Sequence, residues 1–431
     1  MTPGKRIVLS TFGSFGDIHP YVAIALELKA RGHTPVIATA EVYREKMNAI
    51  GIEFFPVRPD MPSYDQPDEI TKLADDLIQA KGGTEKVIEL FTLNLTEVYE
   101  DLDAAVKGAD LLLTHTLPLV GPIVAQKRGL LWVSSILAPI TFFSAYEPPV
   151  PPQIPALHQL LRLSPILGRL FYRAAVLRLE KIMKPVYSLR AKLGLSRGES
   201  PLLRGQHSPH MVLALFSSVL GAPQPDWPQN TRVTGFPFYD RRDYFGDNET
   251  QPELTKFLDD GPPPIVFTLG SSAFWVAEDF YRDSIKAAQA LGQRALLLIG
   301  HERNRPEGPL PEGIAAFEYA PFGEVLPRAL AIVHQGGVGT TGQALRSGRP
   351  ALILPHAHDQ FDNAWRVVRI GCGRAIPRPR YNAETATREL KALLENQDYF
   401  ARAAEIGRLV QKESGASNAA DAIEEALTRG V

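Results

Sequence analysis

Residues 334–350, HQGGVGTTGQALRSGRP, place glycines and threonines between an apolar run that predicts a strand and a pattern that predicts a helix ending at Gly348. The first turn of a helix has unpaired N–H groups and a partial positive charge, so it attracts phosphate. Glycine lets an anion approach the backbone, and threonine adds a hydroxyl donor. The stretch predicts a phosphate site; the alternative is a tight turn that packs its glycines and binds nothing.

A second polar cluster, PHAHDQFDN at 355–363, follows the next apolar run, RPALILP. In open α/β sheets the ligand lies outside the carboxyl ends of the strands, so the two clusters predict a phosphate cradle beside a polar clamp for sugar hydroxyls. His356 and His358, close to Asp359, would suit a metal ion, but a third ligand is not evident. A structural or sugar-contacting role is favoured, and no metal is predicted.

The two polar clusters must be positioned by the strands of a sheet, and both halves of the chain contain short apolar runs that predict strands. The first half contains RIVLSTFGSFGD, TPVIAT, DLLLTH and LLWVSS, and the second contains PIVFTLGSSAF, RALLLI, LAIVHQ and RPALILP. Short apolar runs that alternate with helical patterns are typical of parallel strands covered on both faces. The sequence predicts an α/β protein with two doubly wound domains, 1–220 and 264–431, joined by a Pro-rich charged linker at 221–263. The helical pattern at 401–429 is placed with the second domain, although it could pack on either.

The composition excludes several classes of protein. The chain has 431 residues, of which 45% are apolar and 22% charged, and its net charge of −2 gives no reason to expect nucleic acid as a partner. Cys372 is the only cysteine, which excludes an internal disulfide. The N-terminus enters a strand without an apolar signal region, and the uncharged stretch 129–146 contains Pro139, so it is predicted as a strand and a loop. A cytoplasmic protein is therefore predicted.

One segment differs from the rest in charge. Residues 156–192 carry eight Lys or Arg and one acidic residue, Glu180, together with apolar side chains at helical spacing. Three interpretations fit this pattern: an ordinary surface helix pair, a face that makes a weak contact with a membrane surface, and a positive patch that attracts anionic ligands. The second would place the protein at the inner face of the membrane.

One arrangement of motifs resembles the donor-binding signature of the family 1 nucleotide-sugar glycosyltransferases, which have the GT-B fold. It is a predicted strand followed in order by HQGGVGTTGQAL, RPALILP and HDQ. GSFGDIHPYVAIALELKARGH is similar to their acceptor-domain opening. PDWPQNTRVTGFPFYD and AHDQFDNAWRVVRIGCG resemble the rhamnosyltransferases of rhamnolipid synthesis in particular, with related enzymes acting on polyphenols and sterols. The resemblance implies two Rossmann-like domains that face a cleft, with a nucleotide-sugar donor on the C-terminal domain and an apolar hydroxylated acceptor on the N-terminal one.

Carried over position by position, the resemblance implies three groups of donor-binding residues. The diphosphate would be held by Ser271, Gly337, Gly339, Thr340 and Thr341. The base would lie at YAPF, between Tyr319 and Phe322, and the donor-sugar hydroxyls would bind Asp359 and Gln360.

Two positions depart from the family pattern. Gln335, with His334 before it, stands where the family has a phosphate-contacting histidine, and Gln343 stands where it has a ribose-binding glutamate. An amide lacks the charge assistance of a carboxylate in a hydrogen bond. Gln343 is compatible with a dTDP-sugar, whose deoxyribose has one hydroxyl fewer, and the donor stays open between dTDP- and UDP-linked sugars.

Inverting glycosyl transfer needs a base that takes the proton of the acceptor hydroxyl. The family's base lies three residues before the proline of the first helix, which is Asp17 counted back from Pro20. The alternatives are that Asp17 only caps the helix, and that His19 acts instead of it or shares the proton with it. Apolar walls for the acceptor are expected from four aromatic residues that would equally suit the core: Phe15, Phe142, Phe143 and Tyr146.

The sequence thus predicts an inverting, metal-independent glycosyltransferase without a cofactor. It would move a rhamnosyl or glucosyl group to a hydroxyl of a polyphenol, a sterol-like molecule or a hydroxy-lipid. Two rival predictions are a nucleotide-sugar epimerase or hydrolase of the same fold, and a non-enzymatic accessory subunit. A dinucleotide-dependent oxidoreductase is disfavoured because FGSFGD lacks the G-x-G-x-x-G pattern.

Overall fold

The short apolar runs of the sequence form the strands of two parallel sheets. The computed structural model describes residues 4–63, 66–78, 88–89, 91–152, 154–240 and 252–429. The chain divides into two units, the first comprising Met1–Ile70, Gln79–Tyr239 and Ser414–Val431 and the second Thr71–Ile78 and Asp240–Glu413.

The first sheet has seven strands in the order β3-β2-β1-β4-β5-β6-β7. Its strands are β1 (Arg6–Ser10), β2 (Thr34–Thr39), β3 (Glu53–Pro56), β4 (Leu111–Thr114), β5 (Leu131–Ile136), β6 (Met211–Ala214) and β7 (Thr231–Val233). The helices described up to β7 are α1 (Phe15–Ala30), α2 (Arg44–Ala49), α3 (Pro67–Ile78), α4 (Leu95–Ala105), α5 (Gly121–Arg128), α6 (Leu157–Leu161), α7 (Pro165–Leu179) and α8 (Lys184–Lys192).

The second sheet has six strands in the order β10-β9-β8-β11-β12-β13. Its strands are β8 (Ile265–Thr268), β9 (Ala295–Leu298), β10 (Ile314–Phe317), β11 (Ala331–His334), β12 (Ala351–Ile353) and β13 (Gly373–Ala375). The helices described after β7 are α9 (Pro252–Asp259), α10 (Gly270–Ala273), α11 (Phe280–Ala290), α12 (Phe322–Val325), α13 (Val338–Ser347), α14 (Gln360–Arg369), α15 (Ala383–Glu395), α16 (Gln397–Gln411) and α17 (Gly415–Arg429).

The apolar character of the central strands follows from their position. Ile7, Val8 and Leu9 of β1 have no exposed surface, and neither have Val266 and Phe267 of β8. Helices cover both faces of such a sheet, so consecutive residues must all be apolar. The prediction of two doubly wound parallel sheets is confirmed.

The strand order reverses at one place in each sheet. In the first, β1 lies between β2 and β4, and in the second, β8 lies between β9 and β11. Ligands of doubly wound sheets bind outside the carboxyl ends of the strands at such a reversal. The loop before α1 and the glycine run before α13 both lie there.

The last helix differs from the predicted domain division, because α17 belongs to the first unit. The Arg31 guanidinium donates to the carboxylates of Asp421 and Glu424, at 2.5 and 2.7 Å. Gly415 lies so close to Phe236 that an added Cβ would stand 2.3 Å from its backbone carbonyl carbon. These contacts join residues far apart in the chain, and the helical periodicity of the sequence carries no information about them.

The predicted linker at 221–263 also differs from what the structure contains. Its first part forms β7, which pairs with β6 and completes the first sheet. Residues 241–251 lie outside the described residues. The stretch 129–146 forms β5 followed by a turn at Pro139–Phe142, as predicted, and in the described part of the chain no helix combines the length and apolar character needed to cross a bilayer.

Candidate functional site

The glycine run turns sharply between β11 and α13. Gly336 has φ +89°, and a Cβ at this residue would stand 2.9 Å from Ile353 Cγ2 and 3.1 Å from the Gln360 carbonyl oxygen. Only glycine meets both conditions without strain. Gly337 is the N-cap of α13, and Gly337, Val338 and Gly339 at its start are half-buried.

His334 and Gln335 lie beneath this turn. His334 is fully buried, its Nδ1 accepts the Gly336 N–H at 3.0 Å, and burial lowers its pKa to about 3, so the ring is neutral and supports the loop. The Gln335 amide lies against Gly270 and Gly337, because a Cβ at either glycine would approach its Nε2 within 3 Å. Its Oε1 is buried without a hydrogen-bond partner among the described residues. Gln335 thus has unused hydrogen-bonding capacity between the loops that follow β8 and β11.

The threonines of the run occupy different environments. Thr340 is 7% exposed, whereas Thr341 has no exposed surface and its Oγ1 is buried. Ser271, in the short helix α10 after β8, is half-buried. A ligand at the start of α13 would therefore reach the backbone amides and Ser271 more readily than the Thr341 hydroxyl.

The polar cluster after β12 is tied to the glycine run. The Asp359 carboxylate accepts the Val338 N–H and the Asn363 Nδ2–H, the latter at 2.7 Å. Asn363 Nδ2 also donates to the Gly336 carbonyl oxygen at 2.9 Å. Burial, with a smaller contribution from the charge of Asp362, raises the pKa of Asp359 to about 6 against the opposing effect of these hydrogen bonds.

The Gln360 side chain shapes the loop beside it. Its Oε1 accepts the backbone N–H groups of His356 and Ala357, at 2.8 and 3.1 Å. Burial lowers the pKa of His356 to about 4. The structure thus brings the predicted phosphate and sugar residues together at the carboxyl ends of β8, β11 and β12. Asn363 was missed by the sequence reasoning, and its spacing of four residues from Asp359 on one helix face was the available signal.

Phe322, one of the two predicted base-binding residues, lines a cavity of about 220 Å³ together with Gln343 and Arg346. The Asp240 carboxylate accepts from Gln343 Nε2 at 2.9 Å and from the Arg346 guanidinium. Burial, and then the charges of Asp240 and Glu324, raise the pKa of Tyr319 to about 12. Asp240 was also missed, because it lies in the Pro-rich stretch that was predicted as linker.

In the first unit, Asp17 occupies the first turn of α1. Its Oδ2 accepts the Ser14 N–H at 2.9 Å, the bond of a helix-capping carboxylate, and the side chain is half-buried. A Cβ at Gly13, which has φ +134°, would stand 2.2 Å from the same oxygen. The capping alternative is therefore present in the structure, and the role of Asp17 as a base stays a prediction.

His19 lies among different partners. Its Nε2 is 2.9 Å from Lys46 Nζ, so it accepts the ammonium N–H, and its ring stacks on Phe15 at 5.6 Å and tilts against Tyr239 at 5.2 Å. Burial, and then the charge of Lys46, lower the pKa of His19 well below its usual value. Residues two apart on a helix point about 200° apart around its axis, so the side chains of Asp17 and His19 leave α1 in different directions.

Tyr21 and His115 form a further polar group at the carboxyl ends of β4 and β5. Tyr21 Oη and Ser135 Oγ are 2.6 Å apart, and Ser135 Oγ donates to the Thr114 carbonyl oxygen at 2.8 Å. Burial and the charge of Asp17 raise the pKa of Tyr21, and burial lowers the pKa of His115 to about 4. His115 directly follows β4, the position that the run DLLLTH could have indicated.

The four predicted acceptor aromatics divide into two pairs. Phe142 is 8% exposed and stacks on Trp227 at 3.9 Å, which makes it part of the core, and Phe15 is half-buried against His19 and Tyr43. Phe143, with φ +49°, and the exposed Tyr146 lie on the loop before α6. Among the described residues, no three His, Cys, Asp or Glu side chains converge on a metal position, and metal independence stays a prediction.

Two family models match parts of the chain. Residues 7–97 match the glycosyltransferase family 28 N-terminal domain, and residues 285–423 match the erythromycin biosynthesis protein CIII-like C-terminal domain. The first covers β1 and α1, and the second covers the glycine run and the cluster after β12.

Whole-chain relatives agree with this assignment. The chain is 32% identical over 437 residues to O-mycaminosyltylonolide 6-deoxyallosyltransferase of Streptomyces fradiae, covering 97% of both proteins. It is 26% identical to a sterol 3-beta-glucosyltransferase of Leptosphaeria maculans, covering 98% of this chain but only 29% of that longer protein. The solved structure of the glycosyltransferase VinC in complex with dTDP has the same fold, with a TM-score of 0.68, 18% identity and coverage of 99% and 100% of the two chains.

The fold and these matches define a GT-B glycosyltransferase. The chain belongs to the family 1 glycosyltransferases, and it is an enzyme of that class. This confirms the resemblance inferred from the sequence, whereas the particular likeness to rhamnosyltransferases stays a prediction.

Proposed function

We propose that this glycosyltransferase moves a hexosyl group from a nucleotide diphosphate sugar to a hydroxyl of an apolar small molecule, with inversion and without a metal ion. The observation that carries the proposal is the bonding between the glycine run and the cluster after β12. Asp359 accepts the Val338 N–H of α13, and Asn363 donates to Gly336, so the two loops proposed to hold the phosphate and the sugar are joined by hydrogen bonds.

The donor is proposed to be dTDP- or UDP-linked, with dTDP favoured. The VinC complex with dTDP supports a diphosphate of this kind. In this chain, Gln343 already donates to Asp240, so its amide has less capacity left for ribose hydroxyls. Of the rhamnosyl and glucosyl groups, we favour the rhamnosyl group, which is a 6-deoxyhexosyl group, because the relative in Streptomyces fradiae is named as a 6-deoxyallosyltransferase.

The acceptor is proposed to be a macrolide-like or sterol-like molecule with a free hydroxyl, the two kinds that the relatives' names contain. Both are large and apolar, and such ligands need apolar walls with few polar groups. Polyphenols and hydroxy-lipids are also apolar molecules with free hydroxyl groups, so the proposal includes them. Because such molecules partition into bilayers, we also propose that the enzyme works in the cytoplasm and meets its acceptor at the inner face of the membrane.

In the proposed reaction, the amides at the start of α13 and Ser271 hold the diphosphate and stabilise the negative charge that it gains as it leaves. Asp359 and Gln360 orient the sugar by its hydroxyls. Asp17 takes the proton of the acceptor hydroxyl, whose oxygen attacks the anomeric carbon from the side opposite the diphosphate. One C–O bond forms as the other breaks, so the anomeric configuration inverts.

A product analysis tests this proposal. The protein is incubated in EDTA with dTDP- and UDP-linked rhamnose and glucose and a panel of macrolide and sterol acceptors, and the product is examined by NMR. An O-glycoside of inverted anomeric configuration is expected. Donor hydrolysis or epimerisation that proceeds equally without acceptor would support the rival epimerase or hydrolase instead, and retained configuration would contradict the proposed attack.

A further inference from the structure

Helices α6 and α7 and the turn between them carry an apolar stripe that is exposed to solvent. Five large apolar residues of this stripe are each between 51% and 76% exposed: Leu160, Leu163, Ile166, Leu170 and Leu177. Monomeric proteins rarely expose a continuous patch of this kind without a partner for it. We call this stripe the α6–α7 face.

The opposite side of α7 explains why the stripe points outward. Gly168 packs on the loop before α6, where an added Cβ would stand 2.9 Å from the Cα of Ala145. Tyr172 Oη donates to the Ser144 carbonyl oxygen at 2.6 Å. At about 100° per residue, Ile166, Leu170 and Leu177 lie within about 40° of one another, on the side of the helix away from Gly168 and Tyr172. The packing that anchors α7 therefore does not use the stripe.

Basic residues outnumber acidic ones in and next to these two helices. Five basic residues in or next to these helices are exposed: Arg162, Arg169, Arg173, Arg178 and Lys181. The one acidic residue of the segment, Glu180, pairs with Arg197. An apolar stripe flanked by cations matches a bilayer surface with anionic headgroups, in which leucines enter the headgroup boundary and arginines contact phosphates.

We propose that the α6–α7 face docks on the surface of a membrane that contains anionic lipid. A second copy of this chain fits the face less well, because a two-fold contact would bring the arginines of one copy against those of the other. The inference deepens the proposed function by naming the surface that brings the enzyme to an apolar acceptor, but lipid binding does not depend on the transfer reaction.

Vesicle sedimentation without donor or acceptor tests the proposal. The full chain should bind vesicles of phosphatidylcholine with phosphatidylglycerol at least about tenfold more tightly than vesicles of phosphatidylcholine alone, and added NaCl should weaken the binding. The double variant Ile166→Glu/Leu170→Glu should lose at least about tenfold in affinity for the anionic vesicles. The matched control is Leu409→Glu in α16 of the second unit, where a leucine is 46% exposed. It should bind as the unsubstituted protein does.

Arg173→Gln provides a second variant that keeps the apolar stripe, and a several-fold loss of binding to anionic vesicles is expected from it. Equal binding to both kinds of vesicle, no binding to either, or equal losses in the double variant and Leu409→Glu would overturn the proposal. So would a dimer in solution that the double variant dissociates, which would assign the face to a second copy. Glycosyl transfer to a water-soluble acceptor should be the same in all variants, so failure of docking and failure of the proposed reaction are distinguishable.

Discussion

The carboxyl edges of the two sheets place polar residues at equivalent positions but build them differently. In the second unit, the loops after β11 and β12 are bonded to each other through Asn363 and Asp359, and half-buried glycines stand at the start of α13. In the first unit, Asp17 is bonded within its own helix and Tyr21 to Ser135, so the edge offers side chains. Backbone amides suit a group that every nucleotide-sugar donor shares, the diphosphate. Side chains can change by substitution, which suits an edge that must fit varied acceptors.

Asp17→Asn is the substitution that would break this comparison most strongly. Asparagine keeps an oxygen that can accept the Ser14 N–H, so α1 stays capped, but it cannot take a proton. We expect kcat to fall by at least ~100-fold, the scale of general-base catalysis, while donor affinity and the melting temperature change little. Turnover can be measured by release of the nucleotide diphosphate with acceptor present.

Ser14→Ala is the matched variant for that experiment, because it removes the neighbouring hydroxyl and leaves the Asp17 carboxylate in place. It should keep most of the turnover. If Asp17→Asn turned over normally, Asp17 would be a capping residue only, and His19 or His115 would have to be examined as the base.

Gly336→Ala tests the backbone-built edge. The methyl group would meet Ile353 and the Gln360 carbonyl oxygen at a residue with φ +89°, so the turn before α13 must shift. Because small misplacements of a binding loop weaken its ligand strongly, we expect donor affinity to fall roughly 30-fold by calorimetry. Gly292→Ala is the control, since Gly292 has φ +61° but no atom within 4 Å of the added Cβ. It should lower stability and leave donor affinity unchanged. Equal affinities in the two variants would contradict the assignment of the turn as a binding loop.

The two edges also differ in how far the sequence predicted them. The apolar runs and the glycines identified the strands and the start of α13 correctly, because both signals are local. Asp240 bonded to Gln343 and Asn363 bonded to Gly336 were not predicted, since these partners are 103 and 27 residues apart in the chain. The return of α17 to the first unit depends on Arg31, which is 390 residues from Asp421. Such contacts are set by the topology of the sheets and leave no periodic pattern.

The raised pKa of Asp359 predicts that donor affinity depends on pH. With a pKa of about 6, this carboxylate is ionised at neutral pH and accepts sugar hydroxyls, but it becomes protonated as the pH falls. Donor affinity should therefore drop roughly tenfold between about pH 7 and about pH 5. Asp359→Asn should bind donor weakly at both values, with a flat profile. A wild-type profile that is equally flat would exclude Asp359 from the donor site.

The same pKa shift should make the folded protein more stable at low pH than at neutral pH, whereas donor binding should be stronger at neutral pH. The folded-state pKa of Asp359 lies above the value of 3.8 for an unperturbed aspartate, so the native state holds the proton more tightly than the unfolded state does. The resulting stabilisation is present at low pH and is lost as the pH rises through about 6. At neutral pH, Asp359→Asn should therefore raise the midpoint of urea unfolding although it weakens donor binding. A lowered midpoint would mean that the carboxylate mainly supports the fold.

Gln343→Ala has the smallest expected effect and sharpens the donor assignment. The amide lies beside the cavity and donates to Asp240, so its loss removes one hydrogen bond near the proposed nucleoside position. One such bond contributes on the order of 1 kcal/mol, so the affinity for UDP and dTDP should fall about three- to tenfold. If Gln343 contacts the ribose 2′-hydroxyl, UDP should lose more affinity than dTDP, because only UDP has that group. If it acts only by holding Asp240, both should lose the same, and Asp240→Asn should reproduce the loss.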